Sequence, residues 1–156
     1  MIRRTFIALM AALLVTGLSP TVTAQDNGII KKKSAHSVKV TLDRLEKILK
    51  EKGIGIAVRW NHSEKGKGVG MELRDTEILI FGNPKMGTPL MISNQDIGID
   101  LPLKALAYKD ADGQVWLAYN DPAYLKQRHG IADKDPVFEK MTGALNGMTD
   151  KAVAKE

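Results

Sequence analysis

The chain has 156 residues, a formal net charge of +5 and no cysteine. The missing thiols exclude disulfides, thiolate catalysis and Cys-ligated zinc. Both Arg3 and Arg4 lie in the leader described next, so the charge falls to +3 once it is removed. What remains is a nearly balanced surface with few aromatics, which argues against nucleic acid as a partner.

Residues 1–24 read as a signal peptide. Arg3 and Arg4 precede an apolar run from Phe6 to Val15, and Val22-Thr23-Ala24 supplies the small-residue pattern cut by a signal peptidase. The run is shorter than the roughly 20 residues a spanning helix needs. The expected product is therefore periplasmic, without stable membrane insertion after cleavage. Residues 25–34, including Lys31 to Lys33, show no apolar period and read as a flexible polar tail.

The folded part is expected over 35–131. Ala35 to Val40 alternates like a strand, and Thr41 stands where a helix cap would. Leu42, Leu45, Ile48 and Leu49 then make one helical stripe, closed by Gly53. Ile54 to Trp60 predicts a second strand, His62 to Met71 a weak helix or loop, and Thr76 to Phe81 a central third strand. Thr88 with Pro89 suggests the start of a short helix. Leu103 to Lys109 and Gln114 to Asn120 flank Asp110-Ala111-Asp112-Gly113 as a hairpin. Asp121-Pro122 opens a further helix that ends at Gly130. Residues 132–156 read as a marginal helix and tail. The order β-α-β-β-α-β-β-α predicts an α+β fold, with about five largely antiparallel strands and helices on one face.

Candidate chemistry gathers around Phe81 to Met91, FGNPKMGTPLM. Gly82-x-x-x-x-Gly87-Thr88 has the spacing of a phosphate loop, but the lysine that such a loop carries is absent and two prolines remove amide donors. A rigid strand-to-helix turn and a small-anion or carboxylate pocket both remain open. His62, near a strand end and before a glycine-rich segment, suits acid–base chemistry, and a small-molecule enzyme with His62 as general base is one alternative. Met71, Met86 and Met91 with His62 would offer soft copper(I) ligands, although methionine is also the ordinary filler of irregular cores. No nucleophile elbow and no His-x-His or His-x3-His pair occurs, so no catalytic set, metal site or cofactor is assigned.

The blocks FGNPKMGTPLM, IDLPLKALAY (Ile99 to Tyr108), GQVWLAYNDP (Gly113 to Pro122) and RHGI (Arg128 to Ile131), with Arg59 and His62, resemble the bacterial domain of unknown function 302 family. The resemblance runs from about His36 to Ile131. It implies a compact α+β fold and, for many members, self-association, but no established reaction. Members often carry Asp-His where this chain has Asn61-His62. Independently, Trp116, Ala118 and Asn120 share one strand face and Val115, Leu117 and Tyr119 the other. If helices cover one side only, the exposed side marks a partner surface, most simply a homodimer. The reading is a non-enzymatic binding or accessory domain whose candidate pocket residues are Arg59, His62, Asn83, Lys85, Thr88 and Asn120. A purely structural homo-oligomer is the other alternative.

Overall fold

A computed structural model describes residues 27–155. The leader expected over 1–24 lies outside the described residues. Five strands form one antiparallel sheet in the order β1-β5-β4-β3-β2: β1 (Ile29–Ser34), β2 (Gly55–Asn61), β3 (Thr76–Gly82), β4 (Leu103–Lys109) and β5 (Val115–Asn120). The α+β fold expected from the sequence is the fold observed.

The first strand is not where the alternation of Ala35 to Val40 suggested. It lies in the lysine stretch expected to be a tail, where Ile30, Lys32 and Ser34 turn inward and Lys31 and Lys33 outward. A lysine can occupy an inward position at a sheet edge by laying its stem on apolar surface and delivering its ammonium to a partner. Lys32 does this, reaching Asp150 at 2.6 Å and the Asn146 carbonyl at 3.2 Å.

Helix α1 (Val38–Glu51) starts earlier than expected, with Ser37 as its cap in place of Thr41. The Ser37 hydroxyl accepts from the Val40 amide, and Thr41 is buried one turn in, bonded to the Ser37 carbonyl and the Ser34 hydroxyl. Val38 belongs to the helical stripe with Leu42, Leu45 and Leu49, so its spacing to Val40 imitated a strand. The stripe packs on Leu79, Phe81, Ala105, Ala107 and Leu117 from the inward side of the sheet.

The largest departure is at the C-terminus. Residues expected to fade into a tail form α5 (Asp135–Val153), a 19-residue helix lying against α1 and β1. Phe138, Met141, Leu145, Met148 and Ala152 give it one continuous buried stripe. Gly143 and Gly147 weaken the intrinsic helix, but burial of that stripe outweighs the roughly 1 kcal/mol each glycine costs. Its end is tied down: Arg44 donates to the Ala152 and Lys151 carbonyls, and His36 bonds the Ala154 carbonyl at 2.8 Å. The folded unit therefore runs from β1 through α5, beyond both expected limits.

Three shorter helices complete the chain. α2 (His62–Lys67) follows β2 directly, α3 (Pro84–Ser93) follows β3, and α4 (Pro122–Arg128) packs against α5. A short 3-10 turn, Gln95–Ile99, lies beside α3. The β4–β5 hairpin closes as expected, with the Asp110 carboxylate accepting from the Asp112 and Gln114 amides and Gly113 at φ 82°.

Candidate functional site

The stretch Phe81 to Met91 leaves the sheet at Gly82 and turns into α3, but the turn is made one residue later and the helix starts five residues earlier than expected. Asn83, not Thr88, is the cap, and Pro84 takes the first helical position. The Asn83 side chain accepts from the Lys85 amide at 3.0 Å, and its carbonyl accepts from the Met86 and Gly87 amides at 2.9 and 3.0 Å. Pro84 has no amide to give. The donors that an anion would need at this helix start are thus already engaged by Asn83. Thr88 and Pro89 sit inside the helix, with Thr88 exposed.

What the turn does build is a cavity of about 620 Å³ between α3 and one end of the sheet. Its floor is the Gly55–Gly82 pair of β2 and β3, flanked by Ile56, Ala57 and Leu103. Its other walls are Met86, Gly87 and Met91 of α3, Leu101 and Pro102, and Met141 reaching in from α5. Two glycines paired across neighbouring strands leave no side chains at that point, so the sheet end is hollow where most sheets are filled. Gly82 has a further reason to lack a side chain: a Cβ there would lie 3.2 Å from Pro102 Cβ. The lining is dominated by carbon and thioether surface, with Asn83 and Thr88 as its polar members.

Of the six candidate residues, then, the structure brings Asn83 and Thr88 to one pocket. Lys85 is exposed beside it and is not part of the lining. Asn120 lies on the outward face of β5, paired with Ile29 and separated from the pocket by β4. Arg59 and His62 belong to the far end of β2. Gly55 pairs with Gly82 while Asn61 pairs with Glu77, and the last lining residue of β2 is Ala57, which leaves five residue steps, roughly 15 Å at strand rise, between the pocket and His62. No substrate held by the Gly82–Thr88 stretch comes within proton-transfer reach of that imidazole.

Arg59 is a structural clamp. Its guanidinium reaches Glu77 at 2.8 and 3.0 Å, Asp43 at 2.6 Å and Glu46 at 3.2 Å, joining β2, β3 and α1. The Glu77 hydrogen bond leads in raising the guanidinium pKa above its ordinary value. Asp43 and Glu46 are both held below the usual carboxylate range, Asp43 first by its hydrogen bond to Lys39 and Glu46 first by that to Lys50, with Arg59 adding to each. Such a planar fork, with four donors on three carboxylates and the fifth on the Lys39 carbonyl at 3.3 Å, has no donor left for a ligand.

His62 is the exposed first residue of α2. Asn61 does not orient it. The Asn61 carboxamide oxygen accepts from the Glu64 amide at 2.9 Å and from the Ser63 hydroxyl at 2.7 Å, so Asn61 is a helix cap. An Asp would serve that purpose equally well, which makes the Asn at this position a substitution within capping chemistry. His129 lies at the C-terminus of α4 and also meets Asp100 at 2.6 Å in a pair that the sequence did not reveal. Met141 is the other omission. It comes from the segment read as a marginal helix and tail, and only the position of α5 brings it beside Met86 and Met91. Met71 and His62 are not with them, so the set of soft ligands read from the sequence is not assembled.

An α+β domain with helices on one sheet face and an apolar hollow at one sheet end is the class this structure defines. The chain belongs to the family described as domain of unknown function DUF302, whose model matches residues 30–148. That span takes in β1 and most of α5, in agreement with the wider folded unit. The chain is similar to the "Fluoride-specific ion channel FluC 1" of Brucella suis biovar 1 (strain 1330), 39% identical over 135 residues, 86% of this chain and 53% of the relative. It has the same identity over the same length to the protein of that name from Brucella abortus biovar 1 (strain 9-941), covering 50% of it. The chain spans about half the length of the curated relatives it matches. Among solved structures it is similar to an uncharacterized conserved protein DUF302 from Bacillus stearothermophilus. The TM-score is 0.65 at 20% identity, over 81% of this chain and 96% of that one, a likeness of fold.

Proposed function

We propose that this chain is a non-enzymatic binding module, exported to the periplasm, that takes a small, largely apolar molecule in the hollow between α3 and the β2–β4 end of the sheet. The observation that carries the reading is the cavity itself. A space of about 620 Å³ falls in the size range of small-molecule sites, and its walls are apolar with two polar groups to orient a ligand. Met86, Met91 and Met141 add flexible thioether surface that adapts to different shapes. The small anion or carboxylate contemplated from the sequence is the less favoured ligand, because the helix-start amides are already bonded to Asn83.

The relatives' printed name describes proteins about twice as long as the matched region. Among the described residues no helix is long and apolar enough to cross a membrane. Fluoride conduction is therefore not proposed for this chain. An accessory role, in which the domain binds a ligand on its own or beside a membrane protein, fits both facts.

Titration with the environment-sensitive apolar dye N-phenyl-1-naphthylamine tests the reading. Wild type is expected to enhance and saturate the dye's fluorescence. Gly87 lines the cavity, and a Cβ there meets Leu101 at an ordinary 3.5 Å, so Gly87→Leu fills the space without a backbone clash. That variant should fold and lose the signal. Undiminished dye binding by folded Gly87→Leu would refute the assignment.

A further inference from the structure

The sheet face turned away from α1 and α5 carries no helix among the described residues, and its chemistry is distinctive. The outward positions are Lys31 and Lys33 on β1, Trp116 on β5, Lys104, Leu106 and Tyr108 on β4, Ile78 and Ile80 on β3, and Val58 and Trp60 on β2. The five strands contain one acidic residue, Glu77, and it points inward to Arg59. The outward face therefore has cations, aromatic rings and branched aliphatics at its strand positions, and one carboxylate at its rim, Asp110 of the β4–β5 turn, which accepts from the Trp116 indole at 2.7 Å.

The lysines and rings are interleaved. Lys33 Nζ lies 5.5 Å from the Trp116 ring centre, Lys31 5.8 Å from Tyr108, and Lys65 of α2 reaches around to 4.8 Å from Trp60. Trp60 is 45% exposed, and the glycine-rich loop after α2 leaves Val69 and Met71 70% and 67% exposed. Large apolar side chains so open to water are costly unless something covers them.

We propose that this face rests on an anionic lipid surface. Tryptophan and tyrosine favour the headgroup level, where an apolar body and a polar edge are both satisfied, and each lysine near such a surface contributes attraction. Val69 and Met71, in the loop after α2, supply exposed apolar surface near the β2 edge, opposite the β1 edge that carries Lys31 and Lys33. Two other occupants fit less well. Single-stranded nucleic acid stacks its bases on bare aromatic faces, whereas these rings already carry ammonium groups and the centre of the sheet is aliphatic. A second copy pairing through the same face brings three strand lysines against three and a single carboxylate, Asp110, which the Trp116 indole already engages.

The test is co-sedimentation of the natively processed protein with vesicles of phosphatidylglycerol and phosphatidylcholine, against phosphatidylcholine alone. Binding is expected to the anionic vesicles only. Lys31→Glu with Lys33→Glu should weaken it by at least about thirtyfold, from the attraction each lysine supplies near an anionic surface. Lys47→Glu with Lys140→Glu makes the same charge change at exposed positions on α1 and α5 and should leave binding near wild type. Trp60→Ala should weaken it further than its unchanged charge would suggest. If the lysine variants do not fold, wild-type binding must still fall as salt rises. Four results overturn the proposal: no vesicle binding by wild type, binding indifferent to salt, equal loss in both double variants, or a face occupied instead by an oligonucleotide or a second copy.

Discussion

The two ends of β2 solve opposite problems. At Asn61 and Arg59 the strand is surrounded by charge: one guanidinium satisfies three carboxylates from β3 and α1, and the Asn61 carboxamide caps α2. At Gly55 the same strand has no side chain, its partner Gly82 has none, and α3 and α5 roof the gap with thioethers. The charged end, with the histidine, invites a catalytic interpretation from sequence, but Arg59 and its carboxylates bind one another and His62 stands exposed outside them. The bland end holds the space. Polar residues at strand ends reveal function only when their hydrogen-bonding capacity is left over.

That contrast can be broken at several points. Arg59→Ala should have the largest effect, leaving the nearly buried Glu77 without its cation; the loss is expected at about 2–3 kcal/mol, read by denaturant melts, with dye binding at the far end unchanged. Gly82→Val should cost about 1–3 kcal/mol because its Cβ presses on Pro102, and it should abolish dye binding as well. A loss of dye binding in Arg59→Ala, at a temperature where it remains folded, would mean the two ends are coupled.

The charged end should also show in the pH dependence of stability. Asp43 and Glu46 are depressed in the folded state, so their contribution is complete above the ordinary carboxylate range near pH 4 and is lost as pH falls through their lowered values. Lys39 and Lys50 are the first causes. Removing both should raise the acid-unfolding midpoint while changing neutral-pH stability by less than about 1 kcal/mol, as expected for exposed i,i+4 pairs. An acid midpoint unmoved in Lys39→Ala with Lys50→Ala would remove that explanation. Smallest of all, His62→Ala should stay within about 0.5 kcal/mol of wild type and leave dye binding intact.

How much of this was legible in the sequence follows from the range of the interactions involved. The α1 stripe, the β4–β5 hairpin and the Asp121-Pro122 helix start rest on contacts within a few residues, and they are where the pattern put them. β1 was missed, and α5 read only as a marginal helix, because their reasons are distant: Lys32 needs Asp150, and the Gly-interrupted α5 stripe needs α1. The Phe81–Met91 stretch was singled out correctly as the place where a strand becomes a helix. The residue that starts the helix was not, because Asn83 and Thr88 are equally good caps on paper. Met141 belonged to the weak apolar segment of that marginal helix, and nothing local placed it beside the pocket.

The most direct test of the apolar hollow uses the methionines. With 13C-labelled methyl groups, addition of N-phenyl-1-naphthylamine should shift the resonances of Met86, Met91 and Met141, which line the cavity, and leave Met71 and Met148 in place. Shifts centred on Met71, or none at the three lining methionines while the dye binds, would contradict the account.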